Sequence, residues 1–442
     1  MKYHSTNGIV GNINLDEAVI KGLAADKGLF MPENIKQLPD EFFERIDKMS
    51  LDEVAYRVAD ALFGEDITAS DLKKIVSETL SFNIPLVCVK ENIFALELFH
   101  GPTLAFKDVG ARFMARMLRH FIKGRGSRVN VLVATSGDTG SAVANGFLNV
   151  EGVHVYILYP KGKVSDIQEK QFTTLGHNIT ALEIDGCFDD CQALVKSAFM
   201  DEELTSKMFL TSANSINLAR LLPQSFYYFW AYAQLKSMGL ERELVVSVPC
   251  GNFGNLTAAL FAKRMGLPIK RFIAANNSND VVYNYLQTGK YNPRPSVATI
   301  ANAMDVGSPS NFARIMTLYN ADHASVCADI TGAAYNDNQI AEAIEKAYKE
   351  TGYLLDPHGA CAYLATNEGL GEGETGVFLE TAHPAKFKET IESILQQEIQ
   401  IPDALQKFIS GNKQTVELSG SFKEFKEYLL KEVLHEGSEI YY

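Results

Sequence analysis

His100-Gly101-Pro102-Thr103-Leu104-Ala105-Phe106-Lys107-Asp108 is the stretch on which the reading of this chain turns, because it sets one lysine at the start of a helix. Behind it Val109, Phe113, Met117 and Phe121 recur at every fourth position, the stripe of an amphipathic helix that Gly101 and Pro102 keep from extending backwards. Lys107 therefore falls in the first turn, where free backbone N–H groups and the positive end of the helix dipole disfavour an ammonium. A less protonated amine is the form that attacks an aldehyde. Taken alone, the same residues also fit a solvated lysine at a helix start, so the rest of the chain has to decide.

With 442 residues, 46% hydrophobic and 21% charged, the chain is too long for one ordinary core, and about two or three domains are expected. A net charge of −13 argues against nucleic acid or a membrane surface as partner, and an anionic ligand would need a local basic pocket. Cysteines stand at 88, 187, 191, 250, 327 and 361 with no paired metal-ligand spacing, so no metal is expected and the chain reads as reduced and cytoplasmic. Cys187 and Cys191 read as two buried thiols at a helix start. Residues Met1 to Gly8 contain no apolar leader core, and no run is long enough to span a bilayer.

The fold class is α/β. Residues 1–95 read as a largely helical entry region, with Leu51 to Phe63 a helix closed by Gly64. Beyond them, β-rich runs at Arg128–Ala134, Val153–Tyr159, Ile179–Ile184, Leu244–Val248, Arg271–Ala275 and Val377–Leu379 alternate with helical segments, which predicts parallel sheets wrapped by helices. The divisions drawn are 1–95, then 96–235 carrying the lysine and the substrate loops, then 236–442 carrying a cofactor-phosphate loop, with interleaving allowed. From about Pro384 the sequence reads as a charged, helical surface extension.

Three more loops suit an anion. Leu244 to Cys250, Gly251-Asn252-Phe253-Gly254-Asn255 and Leu256 to Lys263 read as strand, turn and helix, with free N–H groups facing the turn and glycines allowing close approach. A phosphate fits it; neither the G-x-G-x-x-G nor the Walker A pattern is present, and an ordinary βα turn fits too. Val129 to Ala134 leads into Thr135-Ser136-Gly137-Asp138-Thr139-Gly140-Ser141 and a helix from Ala142 to Phe147. Hydroxyl and carboxyl groups thus gather at a strand's C-terminal end, where α/β sheets place ligands; otherwise Asp138 or Thr139 caps the helix. In Thr211 to Arg220, Asn214 and Arg220 can converge on one anion if the loop turns first, arginine supplying a planar fork; alone, Arg220 reads as a surface residue.

Together these segments resemble the threonine synthases, pyridoxal phosphate enzymes of fold type II with a tryptophan-synthase-β-like fold. The resemblance runs through Tyr3-His-Ser-Thr6, Glu17 to Asp26, Gly28 to Glu33, His100 to Asp108, Thr135 to Gly140, Ser212 to Arg220, Gly251 to Asn255, Ala303 to Asn311, Asp356-Pro-His358 and Thr381-Ala-His-Pro384. It implies two doubly wound domains behind a helical N-terminal region. It also implies conversion of O-phospho-L-homoserine and water to L-threonine and phosphate, with pyridoxal phosphate as cofactor. By the same resemblance Lys107 carries the cofactor, and the amides of Gly251, Asn252, Phe253, Gly254 and Asn255 cradle its phosphate. Thr381 meets the ring nitrogen, and Asp138 stands where many relatives have an asparagine near the phenolic oxygen. Thr135, Thr139, Asn214 and Arg220 match positions that hold the substrate phosphate, and Ser136 lies among them. Three positions depart from the family pattern: Asn7 replaces arginine, Lys27 replaces a glycine, and Gly359 follows His358 where threonine is common. A dehydratase or phospholyase of the same fold, or a non-catalytic binder on this scaffold, are the alternatives. The oligomeric state is not fixed by the sequence.

Overall fold

The computed structural model describes residues 1–124 and 128–439, with side chains to residue 432. Strands β1 (Tyr3–Ser5) and β2 (Phe30–Pro32) pair antiparallel, and β3 (Leu86–Lys90) and β4 (Ile93–Glu97) form a hairpin. There follow β5 (Val129–Ala134), β6 (Val153–Pro160), β7 (Ile179–Asp185) and β8 (Phe209–Ser212). Then come β9 (Leu244–Pro249), β10 (Arg271–Asn276), β11 (Ile330–Ala334), β12 (Thr375–Glu380) and β13 (Val416–Ser419). A six-stranded sheet runs β11-β10-β9-β12-β4-β3, and a five-stranded sheet runs β13-β7-β6-β5-β8. All their pairings are parallel except β3 with β4.

Strands of a parallel sheet are covered on both faces and so read as continuous apolar runs. β5, β9 and β12 are buried at every residue, which is why the runs stood out in the sequence. The sheets interleave: the hairpin of residues 86–97 joins strands from the second half of the chain, and β13 joins strands from the first.

The C-terminal segment is not purely helical. Helices Lys388–Leu395, Asp403–Ile409 and Phe422–Glu439 are present, and between the last two runs β13, which pairs Val416 with Leu182 and Ser419 with Asp185. Its four residues are too few to show a strand period, and their pairing partner lies far away in sequence. Cys191 is buried, but Cys187 is only half-buried at the N-cap of helix Phe188–Met200. Among the described residues no helix is long and apolar enough to cross a membrane.

In the N-terminal region, helix Leu51–Phe63 opens on a capping box between Ser50 and Glu53 and ends at Gly64, with Val54, Val58 and Leu62 turned into the core. Asn7 donates through Nδ2 to the Asp26 carbonyl at 2.8 Å. Lys27 is exposed and holds φ at +66°, a left-handed conformation that explains the glycine common at this position. An L-residue there costs about 1–2 kcal/mol, partly offset by the greater chain entropy that glycine loses on folding. Lys27→Gly is therefore expected to stabilise the fold by roughly 0.5–1 kcal/mol, seen as a higher urea midpoint at unchanged slope; a lower midpoint contradicts this.

Candidate active site

Lys107 is the first residue of helix Lys107–Ile122, and a tightly tied turn delivers it there. The buried Asp108 carboxylate accepts from the Thr103 N–H at 2.9 Å and the Thr103 hydroxyl at 2.6 Å. A Cβ on Gly101 would lie 2.4 Å from Asp108 Oδ2, so only glycine fits. Leu104, buried and not glycine, takes φ +55°. The turn is stitched to the chain leaving β12: Phe106 N donates to Thr381 O at 2.8 Å and His383 N to Leu104 O at 3.0 Å.

Lys107 is half-buried, and its amine has no hydrogen bond or ion pair among the described residues. Its pKa is held below the ordinary lysine value chiefly by desolvation. Asp138 opposes the shift, and Lys386 and Arg220 add to it. The Thr381 hydroxyl is likewise without a partner among the described residues.

The loop after β5 turns at Gly137, whose φ is +146° and whose added Cβ would meet the Gln168 side chain at 2.6 Å. Helix Asp138–Phe147 begins earlier than the sequence suggested, and its N-cap is Gly137, so neither Asp138 nor Thr139 caps it. Thr135 Oγ1 accepts from Gly137 N at 2.9 Å and Gly140 N at 2.8 Å, and is thereby committed to the loop itself. Ser136 and Thr139 are half-buried with unclaimed hydroxyls. Asp138 is 5% exposed; its Oδ1 accepts from Gln168 Nε2 at 2.8 Å and lies 2.7 Å from Lys386 Nζ. Burial pushes this carboxyl up, but Lys386 and Lys107 outweigh it and hold it well below the usual range.

After β8, Asn214 donates to the Ala134 carbonyl at 3.1 Å, tying the two loops together. Asn217 caps the short helix Leu218–Leu221, which carries Arg220, 3% exposed and so no surface residue. Arg220 Nη1 donates to the Ala213 carbonyl, while its buried Nε has no partner. Desolvation lowers its pKa to about 10. Gly110 makes the room, since a Cβ there would lie 2.5 Å from Arg220 O and 3.2 Å from its Nε.

Between β9 and helix Gly254–Arg264, no backbone acceptor meets the N–H groups of Gly251 to Asn255, and Phe253 at the N-cap is left-handed, φ +59°. Asn255 Oδ1 accepts from Tyr227 at 2.5 Å and Tyr228 at 2.6 Å, leaving its buried Nδ2 without a partner. A run of unclaimed donors at a helix N-terminus fits a phosphate. The Asn252 side chain serves the scaffold: Nδ2 donates to Ser215 Oγ at 2.6 Å and Oδ1 accepts from Ser310 N at 2.6 Å. Gly251 is needed because a Cβ would meet Ala303 O at 2.7 Å, whereas one at Gly254 would find nothing nearer than 3.4 Å.

His358 Nδ1 donates to Asp356 Oδ1 at 2.5 Å and Nε2 accepts from Ala303 N at 3.1 Å, so both ring nitrogens are occupied. Gly359 has a steric cause: a Cβ would fall 1.5 Å from Glu380 Oε2. Burial, with Asp356 and Glu97 near, raises the Glu380 carboxyl well above its usual value.

The sequence reading missed Lys386, Gln168, Tyr227, Tyr228 and Arg314. Arg314 is fully buried and donates to the carbonyls of Phe30 at 3.1 Å and Ile216 at 2.7 Å and to Asn311 Oδ1 at 2.7 Å, so it fastens the loop after β8 to the N-terminal region. Lys386 follows Thr381-Ala-His-Pro384-Ala within a small, apolar stretch, which was the available hint of burial.

The chain matches the pyridoxal-phosphate dependent enzyme family over residues 83–381, the threonine synthase N terminus over 2–80 and the C-terminal threonine synthase region over 359–429. It is 46% identical over 419 residues to threonine synthase of Haemophilus influenzae, covering 95% of this chain and 97% of that one. Threonine synthase from Escherichia coli superposes with a TM-score of 0.91 at 42% identity, over 98% of this chain and 100% of that one. Pyridoxal-phosphate-bound threonine synthase from Brucella melitensis gives 0.91 at 36% identity, over 97% and 98%. With likeness of this extent around a free, depressed-pKa lysine and a loop of unclaimed amides, the chain belongs to the threonine synthase family of pyridoxal-phosphate-dependent enzymes.

Proposed function

We propose that the chain converts O-phospho-L-homoserine and water to L-threonine and phosphate at Lys107, and that Ser136, Thr139, Asn214 and Arg220 hold the substrate phosphate. The observation that carries this reading is the set of polar groups without hydrogen-bond partners among the described residues: the Lys107 amine, the Thr381 hydroxyl, Arg220 Nε, Asn255 Nδ2 and the amides of 251–255. Two separate anion-binding sets, one at 251–255 and one at Arg220, suit a cofactor phosphate and a substrate phosphate. A dehydratase has no use for the second.

Pyridoxal phosphate, when bound, supplies a carbonyl for an amine to condense with and a conjugated ring that accepts the electron pair left by C–H cleavage. Lys107 and the 251–255 amides would hold it, with Thr381 at the ring nitrogen. Lys107, its pKa lowered by burial, takes the substrate's α-proton and gives it up before taking one from Cβ; phosphate leaves Cγ, which receives a proton, and water then adds its OH to Cβ as Cα regains its proton, the remaining proton of the water going to the phosphate. Arg220 grips the leaving phosphate, its charge strengthened by burial. Thr381 offers a neutral hydroxyl where a carboxylate would keep the ring nitrogen protonated, and so restrains the electron sink. Six free cysteines suit a cytoplasmic setting.

Incubation with O-phosphohomoserine, assayed for threonine, phosphate and 2-oxobutyrate together, tests the reading: threonine with equimolar phosphate is expected, and 2-oxobutyrate alone would overturn it. Lys107→Ala should fold yet lose nearly all turnover, and borohydride reduction of the loaded enzyme should fix the cofactor on Lys107. Labelling of another lysine contradicts the assignment. Charge-assisted bonds to a buried phosphate are worth roughly 1.5–3 kcal/mol each, so Arg220→Ala should lower kcat/KM at least tenfold. Arg220→Lys should fall between the two, because a point charge cannot copy the fork, and the cofactor absorption should stay unchanged in both. Removing both hydroxyls in Tyr227→Phe/Tyr228→Phe frees the Asn255 amide to turn. It should weaken binding of pyridoxal phosphate several-fold while leaving binding of pyridoxal, which has no phosphate, unaltered; equal losses for both ligands contradict the phosphate role.

A further inference from the structure

Lys386 lies in the 3-10 turn Pro384–Phe387 with its side chain fully buried. Its ammonium sits 2.7 Å from Asp138 Oδ1 and donates to the Thr103 carbonyl at 2.7 Å. A buried lysine without compensation loses its proton or destabilises the fold by several kcal/mol, so this pair is held in place by its partners on both sides. Gln168 Nε2 donates to the same carboxylate oxygen, while Oδ2 accepts nothing among the described residues.

The charged groups acting on the Lys107 amine come from four elements. They are Asp138 on helix Asp138–Phe147, Lys386 on the 384–387 turn, Arg220 on the short helix Leu218–Leu221, and Asp356 at the cap of helix Pro357–Gly369. On Asp138 the acting cations are Lys386 and Lys107 themselves. Two lysines thus act on one buried carboxylate, and of the two only Lys386 touches it. A carboxylate that captured Lys107 would hold it as an ammonium in a place of low dielectric, where an ion pair is strong and a nucleophilic amine is lost.

We infer that Lys386 is a positioning residue that occupies the Asp138 carboxylate and so keeps Lys107 out of a closed ion pair, leaving its amine free to condense. The pair also presents the site with a neutralised carboxylate, which removes the repulsion that a bare Asp138 would exert on a phenolate oxygen. The inference rests on Lys107 as the cofactor-bearing residue, and the borohydride labelling above decides that point independently.

The test is the pH dependence of the rate at which the cofactor-free full-length chain captures pyridoxal phosphate, followed by absorbance. In the wild type the rate should rise with pH through a midpoint below that of an ordinary lysine. Lys386→Met, similar in bulk but uncharged, should move the midpoint up by about one pH unit or more, slowing capture near neutral pH about tenfold. Adding Asp138→Asn to Lys386→Met should bring the midpoint back to the wild-type value or below. Asp138→Asn alone should lower it, and this variant decides the matter if Lys386→Met does not fold. An unchanged midpoint in Lys386→Met, no return in the double variant, or an unchanged or raised midpoint in Asp138→Asn would each overturn the inference. A purely structural role for Lys386 would lower stability without moving the midpoint.

Discussion

A three-residue antiparallel contact between the chain leaving β4 and the chain leaving β12 sets the geometry of everything else. Glu97 and Glu380 are in register at the ends of these parallel neighbours, so both segments emerge at one level and zip together, Ala105 facing Ala382. That contact brings the start of the Lys107 helix beside Thr381 although most of the sequence lies between them. The other site loops follow β5, β8 and β9, each at a strand's C-terminal end, where the dipoles of following helices and unpaired amides face one space. Asn214 and Asn252 cross-link these loops through side-chain amides, so the geometry is held by hydrogen bonds that a ligand need not supply.

The electrostatics run against the composition. An overall charge of −13 surrounds an interior in which Lys386 and Lys107 both act on one carboxylate, Asp138, and Arg220 acts in turn on Lys107. Other buried charges have their own answers: Asp108 is hydrogen-bonded to Thr103, Arg314 is wrapped in carbonyls and the Asp356 carboxylate is paired with His358. The net negative charge is therefore no guide to the charge that a ligand meets at the site.

Local rules carried much of the sequence reading. The helix after Lys107, the capped helix Leu51–Phe63 and the buried strands each obey a periodicity visible within a dozen residues or so. The loops around 135, 214 and 251 were legible because small and polar residues interrupt those periods. What stayed hidden depends on partners far along the chain. Nothing near Thr135 says that its hydroxyl is spent on Gly137 and Gly140, nor near Asn252 that its amide bridges two loops, nor near Lys386 that a carboxylate waits at 138. The departures from family pattern divide in the same way. Lys27 breaks a local backbone rule that can be stated in advance, whereas Gly359 makes sense only beside Glu380.

The place of β13 has a consequence for how the molecule is made. It pairs along β7 at the rim of the smaller sheet, yet residues 186–415 are synthesised between the two. Until β13 arrives, β7 offers a row of unpaired N–H and C=O groups, the kind of edge along which unfinished chains join one another. The smaller sheet therefore cannot close while the larger one is being laid down, and its completion is a slow, long-range event. The nascent chain spends that interval with the β7 rim open, an edge on which chaperone shielding would act.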